Sequence, residues 1–275
     1  MMFSSKNMSY IYYHEYFKGL EERKEKSGLV YELGRQKKSS EEQFRDRNMA
    51  LQDFKFDLSL SPLEHLKNAS KDASKGVASV KTFSLETIYP GLMIGTGNPH
   101  DLKSKGSIYS GFSFDYVTGL PYIPGSSVKG VLKSVFPTKE DTKDDINQQK
   151  MEYIQSLLES ELSDEAIYGL KDNIFEDNDV FLDAYPCPTS KKNTKQQCLA
   201  LEFITPHSDI IKNPIPINCL KVKPGISFEF GFYLNECQLS DGVKITVKEK
   251  IELFKTILTD VGIGAKTNVG FGQLE

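Results

Sequence analysis

Tryptophan is absent from this chain, and cysteine is scarce. The four cysteines, Cys187, Cys198, Cys219 and Cys237, form no C-x-x-C pair. That spacing lacks the close ligand pairs of structural zinc sites and the dithiol of redox proteins. A chain of 275 residues can bury a core without disulfide staples. The cysteines therefore read as reduced cytosolic thiols, and neither a metal nor a cofactor is expected. Long apolar runs are lacking too: none approaches the ~20 residues that cross a bilayer. The N-terminal stretch MMFSSKNMSYIYYHEYF has no apolar h-region and no cleavage site, so it does not read as a secretory signal. The expected location is cytoplasmic, with no membrane partner.

A strong excess of charge is also missing, but the net value of −4 conceals a division. Residues 139–179 hold thirteen Asp and Glu against four Lys, a block of −9, which leaves +5 for the rest. An acidic insertion thus masks a mildly basic body, and such a surface can meet phosphate.

What is present changes in character along the chain. Residues 1–75 read as a helical extension. Tyr13, Tyr16, Phe17 and Leu20 are spaced for one helix face, and Ser40 with Gln43 suggests a capping box for a second helix through Phe44 and Leu51. All four arginines, Arg23, Arg35, Arg45 and Arg47, lie here among acidic residues. This is either a solvated helical face or a docking surface for a neighbouring protein or RNA. Asn68 to Gly76 reads as a linker. Residues 76–275 form the main domain. Lys81 to Thr87 alternates as a half-buried strand, with Phe83 and Leu85 on one side. Phe112, Phe114 and Tyr116 alternate again. In LPYIPGSSVKGVLKSVF, Pro124 and Gly125 break the strand, Ser126 or Ser127 can cap a helix, and Val128, Val131, Leu132 and Val135 face the core. Lys129 and Lys133 take the other face. A helix start with serines and a lysine is a ready phosphate site, although an ordinary capped helix has the same pattern.

The acidic insertion, 138–178, carries one amphipathic helix through Met151, Ile154, Leu157, Leu158 and Leu162. Strands are expected at 179–184, 199–205 and 217–222, with KKNTK at 191–195 as an exposed loop. ISFEFGFYL at 226–234 is the cleanest strand: Ile226, Phe228, Phe230, Phe232 and Leu234 share one face, and Glu229, Gly231 and Tyr233 the other. Residues 248–260 read as a helix with Ile251, Phe254 and Leu258 buried. This order predicts an α+β domain with helices on one face of an antiparallel sheet, compatible with a ferredoxin-like, RRM-type plan.

The C-terminal GIGAKTNVGFGQLE surrounds Lys266 and Thr267 with four glycines, Gly262, Gly264, Gly270 and Gly272. Glycines let backbone N–H groups approach a ligand, and such a loop can cradle an anion beside a lysine. A nucleotide P-loop is excluded: Ala265 rather than glycine precedes Lys266, and too few residues follow for its helix. The GTG at 95–97 is a poor dinucleotide fingerprint, since His100 stands where its third glycine belongs. A purely structural glycine turn remains the alternative.

Together, G-x-G-x-K-T-x-x-G-F-G at the C-terminus and PYIPGSSVKGVLK resemble the RAMP superfamily of CRISPR effector proteins. FLDAYP at 181–186, ITPHSD at 204–209 and NPIPINCLKVKPGISFEF at 213–230 narrow the likeness to the sixth-subunit family of the Cmr (type III-B) module. The likeness runs from about residue 80 to the end. It implies a ferredoxin-like RAMP core with insertions, acting as a non-catalytic subunit that caps the backbone filament near the 3′ part of the guide RNA. The implied partners are the CRISPR guide RNA, through its phosphates, other Cmr/RAMP subunits, and target RNA indirectly. The implied RNA contacts map onto Ser126, Ser127 and Lys129 and onto Gly264, Ala265, Lys266 and Thr267, with Lys103 and Lys105 as further candidates. Both patches offer N–H groups plus a lysine, which suits phosphate and ignores base identity.

Some RAMP relatives cut RNA. Of the four histidines, His14, His65, His100 and His207, the pairs His100–Asp101 and His207–Asp209 are the weak catalytic candidates. The two alternatives to an RNA-binding subunit are therefore a RAMP-type endoribonuclease and a protein-only scaffold.

Overall fold

The computed structural model describes residues 2–25, 28–34, 38–70, 79–97, 104–139, 145–177, 179–190, 193–205 and 216–275, with the backbone alone at 23–25, 28–30 and 177. In chain order the N-terminal part holds α1 (Met8–Tyr13), β1 (Leu20–Glu25), β2 (Gly28–Leu33), α2 (Ser40–Gln52), β3 (Phe56–Asp57) and α3 (Pro62–Ser70). Next come β4 (Lys81–Glu86), α4 (Gly125–Ser134), α5 (Asp145–Leu157), α6 (Asp164–Asp172), β5 (Val180–Phe181), β6 (Tyr185–Pro186) and β7 (Lys195–Gln196). The chain ends with β8 (Leu199–Ile204), β9 (Ile217–Val222), β10 (Ser227–Tyr233), β11 (Cys237–Gln238), β12 (Lys244–Ile245) and α7 (Val247–Val261).

The central sheet is built on β10. It pairs antiparallel with β4 on one side, Leu85 opposite Phe228 and Phe83 opposite Phe230. On the other side it pairs with β5 and β6. Glu86 and Glu275 exchange backbone hydrogen bonds of 2.8 and 3.0 Å, so residues 273–275 extend the sheet beyond β4. The order across the sheet is 273–275, β4, β10, β5/β6. The β8–β9 hairpin is a separate two-stranded sheet, and its Val222 bridges Leu92 in the connection that follows β4. α7 packs on one face, where the Phe254 ring lies 5.3 Å from that of Phe232, and α4 packs beside α7.

The expectation of helices on one face alone is corrected by α3, which covers the second face. Gly231 is the reason: a Cβ there would lie 2.5 Å from Leu63 Cδ2. Glu229, next to it, is buried and takes Lys67 of α3 as partner at 2.7 Å. One buried cluster runs through Tyr12, Phe44 and Leu63 to Phe230 and Phe254, so N-terminal residues and sheet share a core.

Other local expectations shift for identifiable reasons. The helix expected over Tyr13–Leu20 ends at Tyr13, because His14 leaves helical geometry (φ −126, ψ −58) and Gly19 takes φ +84. The chain then turns into the β1–β2 hairpin, so the extension is not wholly helical. The α2 capping box is one residue earlier than expected: Ser39 Oγ accepts from the Glu42 N–H, and Glu42 accepts from the Ser39 N–H. Ser40 Oγ instead accepts from Leu33 N–H at 3.1 Å, tying α2 to β2. Tyr116 leaves the expected alternation. The Asp115 carboxylate accepts from both the N–H and the hydroxyl of Thr118, at 2.6 Å each, and the resulting turn throws Tyr116 outward. The insertion holds two helices rather than one, since Ser163 caps α6 and leaves Leu158 and Leu162 between them. Part of the expected loop at 191–195 is β7, paired with β3. Ile251 is only partly buried. Among the described residues, no helix is long and apolar enough to cross a membrane.

Candidate nucleic-acid interface

α7 is started by a Thr246–Glu249 capping box and ended by Gly262 at φ +70. The glycine loop begins there. Gly264, at φ +97, passes so close to the preceding strand connection that a Cβ would sit 2.5 Å from Met93 O. Ala265 N–H donates to that same carbonyl at 2.8 Å, and Gly272 N–H donates to Gly91 O at 2.8 Å. The loop is thus clamped at both ends onto Gly91–Met93. Between the clamps Lys266 adopts left-handed geometry (φ 62, ψ 35), the one non-glycine to do so among the described residues. A short 3₁₀ turn, Thr267–Val269, follows it. The Lys266 carbonyl accepts from Val269 and Phe271 N–H, at 3.1 and 3.2 Å. The N–H groups of Lys266, Thr267 and Asn268 find no acceptor among the described residues. A left-handed residue followed by right-handed ones aims successive N–H groups into one concavity, the geometry of an anion nest. The Lys266 side chain is exposed beside it.

The loop borders a groove of about 580 Å³. Its lining includes Tyr89, Phe203, Ile204, Lys266, Val269 and Phe271. Tyr89, Phe203 and Val269 are 83, 66 and 63% exposed. The floor rests on a small satellite core of Met93, Cys219 and Phe271. Lys221 Nζ lies 5.7 Å from the Phe271 ring centroid and 2.6 Å from Glu202 Oε2.

The second candidate patch is the entrance to α4. Here the cap is Pro124, without a side-chain cap bond, which corrects the capping role expected of Ser126 or Ser127. Gly125 N–H is taken by Asp183 Oδ1 at 2.7 Å. A Cβ on Gly125 would strike Phe181 O at 2.3 Å, so only glycine lets α4 start this close to the sheet. Both serines are exposed within the first turn. Lys133 pairs with Glu176 at 2.5 Å. That bond, the charge of Lys133 and then that of Lys129 hold the Glu176 carboxyl below its usual range. Lys129 makes no ion pair among the described residues.

The two patches are separate. The glycine loop leads into the 273–275 edge of the sheet, while the α4 entrance follows Ile123, which bridges Ala184 at the opposite edge. Three strand spacings of ~4.8 Å put those edges roughly 15 Å apart. Of the further candidates, Lys105 is exposed but paired with Glu41 at 2.8 Å. Lys103, His100, Asp101, His207 and Asp209 lie outside the described residues. His65 is exposed, and His14 stacks on Tyr10 with ring centroids 5.0 Å apart. All four cysteines are free thiols. Burial pushes Cys198 up to about 12, against a smaller lowering by Lys223. No group of three or more metal-ligating side chains occurs among the described residues. Sequence reasoning missed Tyr89, Phe203 and Lys221. Tyr89 had a signal, an aromatic at the head of a Y-P-G turn. Phe203 had none, because an aromatic in a strand normally faces a core.

A model of the RAMP superfamily matches residues 84–275. CRISPR system CMR subunit Cmr6 of Saccharolobus solfataricus is 30% identical over 171 residues, 60% of this chain and 48% of the relative. The matched part thus spans about half the length of that curated relative. A chain of the type III-B Cmr-beta complex bound to cognate target RNA, solved by cryo-EM, has a TM-score of 0.55 at 23% identity. That alignment covers 88% of this chain and 76% of that one, a likeness of fold.

Proposed function

The chain belongs to the RAMP superfamily, and from that membership we propose that it is a guide-RNA-binding subunit of a type III-B CRISPR effector, capping the backbone filament near the 3′ part of the guide. The carrying observation is the run of N–H groups at Lys266, Thr267 and Asn268, which have no acceptor among the described residues and are held under the Lys266 charge in a loop clamped at both ends. Such a device binds phosphate and is indifferent to base sequence. The sheet order given above, with a helix after β4 and another after β10, supports a ferredoxin-like core. The similarity to Cmr6 supports the type III-B assignment.

Neighbouring subunits would meet a surface of different chemistry. Tyr116, 85% exposed, and Val117 stand on a turn whose carbonyls accept from Asn7 Nδ2 at 3.0 and 3.1 Å. Tyr10, Tyr13 and His14 line the same hollow. A tyrosine-rich patch on a fixed backbone suits protein contact.

The test is salt dependence. Affinity for a guide-length RNA should fall steeply with salt. Lys266→Ala and Lys129→Ala should each weaken binding to every sequence alike and reduce the slope of log K against log salt by about one. A protein-only scaffold would show no dependence on either lysine. The reading assigns the chain no catalytic step. Guide-complementary RNA should survive incubation with it, and cleavage abolished by His100→Ala or Asp101→Ala would overturn that part.

A further inference from the structure

We infer that the groove beside the glycine loop is a stacking site for unpaired bases of a single RNA strand, with Tyr89 and Phe203 as its base platforms. The inference rests on the RNA-binding reading above and adds to it the form of RNA this site accepts.

Large side chains are exposed here at a cost that folding does not explain. Tyr89 and Phe203 are 83 and 66% exposed, and Val269 is 63% exposed. All three border one concavity, whose lining also includes the buried Phe271 and the exposed Lys266. The Tyr89–Pro90 turn is fixed from both sides. Gly91 N–H closes it onto Ile88 O at 2.8 Å, and Ile88 N–H donates to Gln273 O at 3.2 Å. Phe203 is fixed by the β8 ladder opposite Asn218. The two rings are therefore presented by ordered backbone.

The chemistry of the ends and walls selects the ligand. Apolar faces alone would suit any hydrophobic partner. The N–H groups of Lys266 to Asn268 add a demand for an anion next to the groove that Lys266 itself lines. The acidic group on the wall, Glu202, is neutralised by Lys221 at 2.6 Å, so it does not repel a phosphate chain. Aromatic faces next to a phosphate cradle are the elements of single-strand recognition, in which bases stack and the backbone is neutralised. A duplex cannot use such platforms, because its base faces are already stacked on one another. The groove volume of about 580 Å³ lies within the ~300–1,000 Å³ typical of ligand clefts.

The experiment uses the full chain and three probes: a single-stranded oligoribonucleotide, the blunt duplex of the same sequence, and a strand of equal length made of abasic sites. Tyr89→Ala/Phe203→Ala should weaken binding of the single strand about tenfold or more and leave its salt slope unchanged. The same double variant should bind duplex and abasic strand as the wild type does. Tyr89→Phe should retain full affinity. Both side chains are exposed, so the variant should keep its native circular dichroism and melting temperature. If the double variant binds the single strand as tightly as wild type while Lys266→Ala still weakens it, the stacking site is overturned and the phosphate reading stands. If the wild-type chain binds no RNA with any dependence on salt or Lys266, the phosphate reading falls and this inference with it.

Discussion

Lys250 is an ammonium with no access to water, and its partners explain how the fold tolerates it. Asp179 Oδ2 lies 2.6 Å away and Asn173 Oδ1 2.9 Å, with both charged side chains fully buried. A buried pair of this kind adds little over apolar residues, but breaking it strands a charge. Asp179→Ala should therefore lower stability by about 3–5 kcal/mol, read as a shift of the urea midpoint. Lys250→Met/Asp179→Leu should recover most of the loss, and a single variant within ~0.5 kcal/mol of wild type would contradict the account. Cys198 gives a pH-dependent case. Burial holds its thiol neutral up to about 12 in the fold, whereas an unfolded thiol ionises near ~8.5. The folded state then binds the proton more tightly, so this contribution to stability is intact below ~8.5 and declines as pH rises through the interval to about 12. Native protein at pH 8 should leave Cys198 unalkylated, and denatured protein should not.

At the level of elements, capping and close approach decide where the candidate phosphate-binding patches stand. α7 delivers the chain to the glycine loop, and its start depends on Thr246, whose hydroxyl accepts from Glu249 N–H at 3.2 Å. Thr246→Ala should cost about 1 kcal/mol, measured by thermal melting. The Thr246 hydroxyl, and then its N–H, also hold the Glu249 carboxyl below its usual range. That contribution is present above the unfolded carboxyl value of ~4.3 and is lost as pH falls through the depressed folded value. The variant should accordingly lose less stability than wild type on acidification, and an unchanged acid profile would count against the capping role.

The same elements explain what could be read in advance. Strong periodicity announced β10, β4, α4 and α7, because each buries an apolar face whose spacing is set by the backbone. The glycine loop was legible because four glycines around a lysine have few uses. Three things were hidden. The break after Tyr13 depends on Gly19 at φ +84, an ordinary glycine in the sequence. The covering of the second face of β10 depends on Leu63 meeting Gly231, a contact 168 positions apart along the chain. The bond from Gly125 N–H to Asp183 at the start of α4, in place of a cap by a neighbouring serine, is likewise non-local. Tyr89 and Phe203 were passed over because isolated aromatics gain meaning only when the fold brings them to one groove.

For the whole molecule, the acidic block of −9 at 139–179 and the mildly basic remainder divide the charge along the chain. Lys133 of the remainder meets Glu176 of the block at 2.5 Å, and within the block Lys139 meets Asp172 at 3.0 Å. The candidate phosphate contacts at Lys266 lie in the basic remainder, and the shared core joins the N-terminal elements to the sheet that carries them. On the proposed function, the chain acts as one member of a larger ribonucleoprotein. The most direct test is to purify it gently, tagged, from its native host and to identify the proteins and RNA that come with it. The account predicts other RAMP subunits together with repeat-derived guide RNAs, and loss of the RNA in a Lys129→Ala/Lys266→Ala variant. Recovery of the chain alone and free of RNA would contradict it.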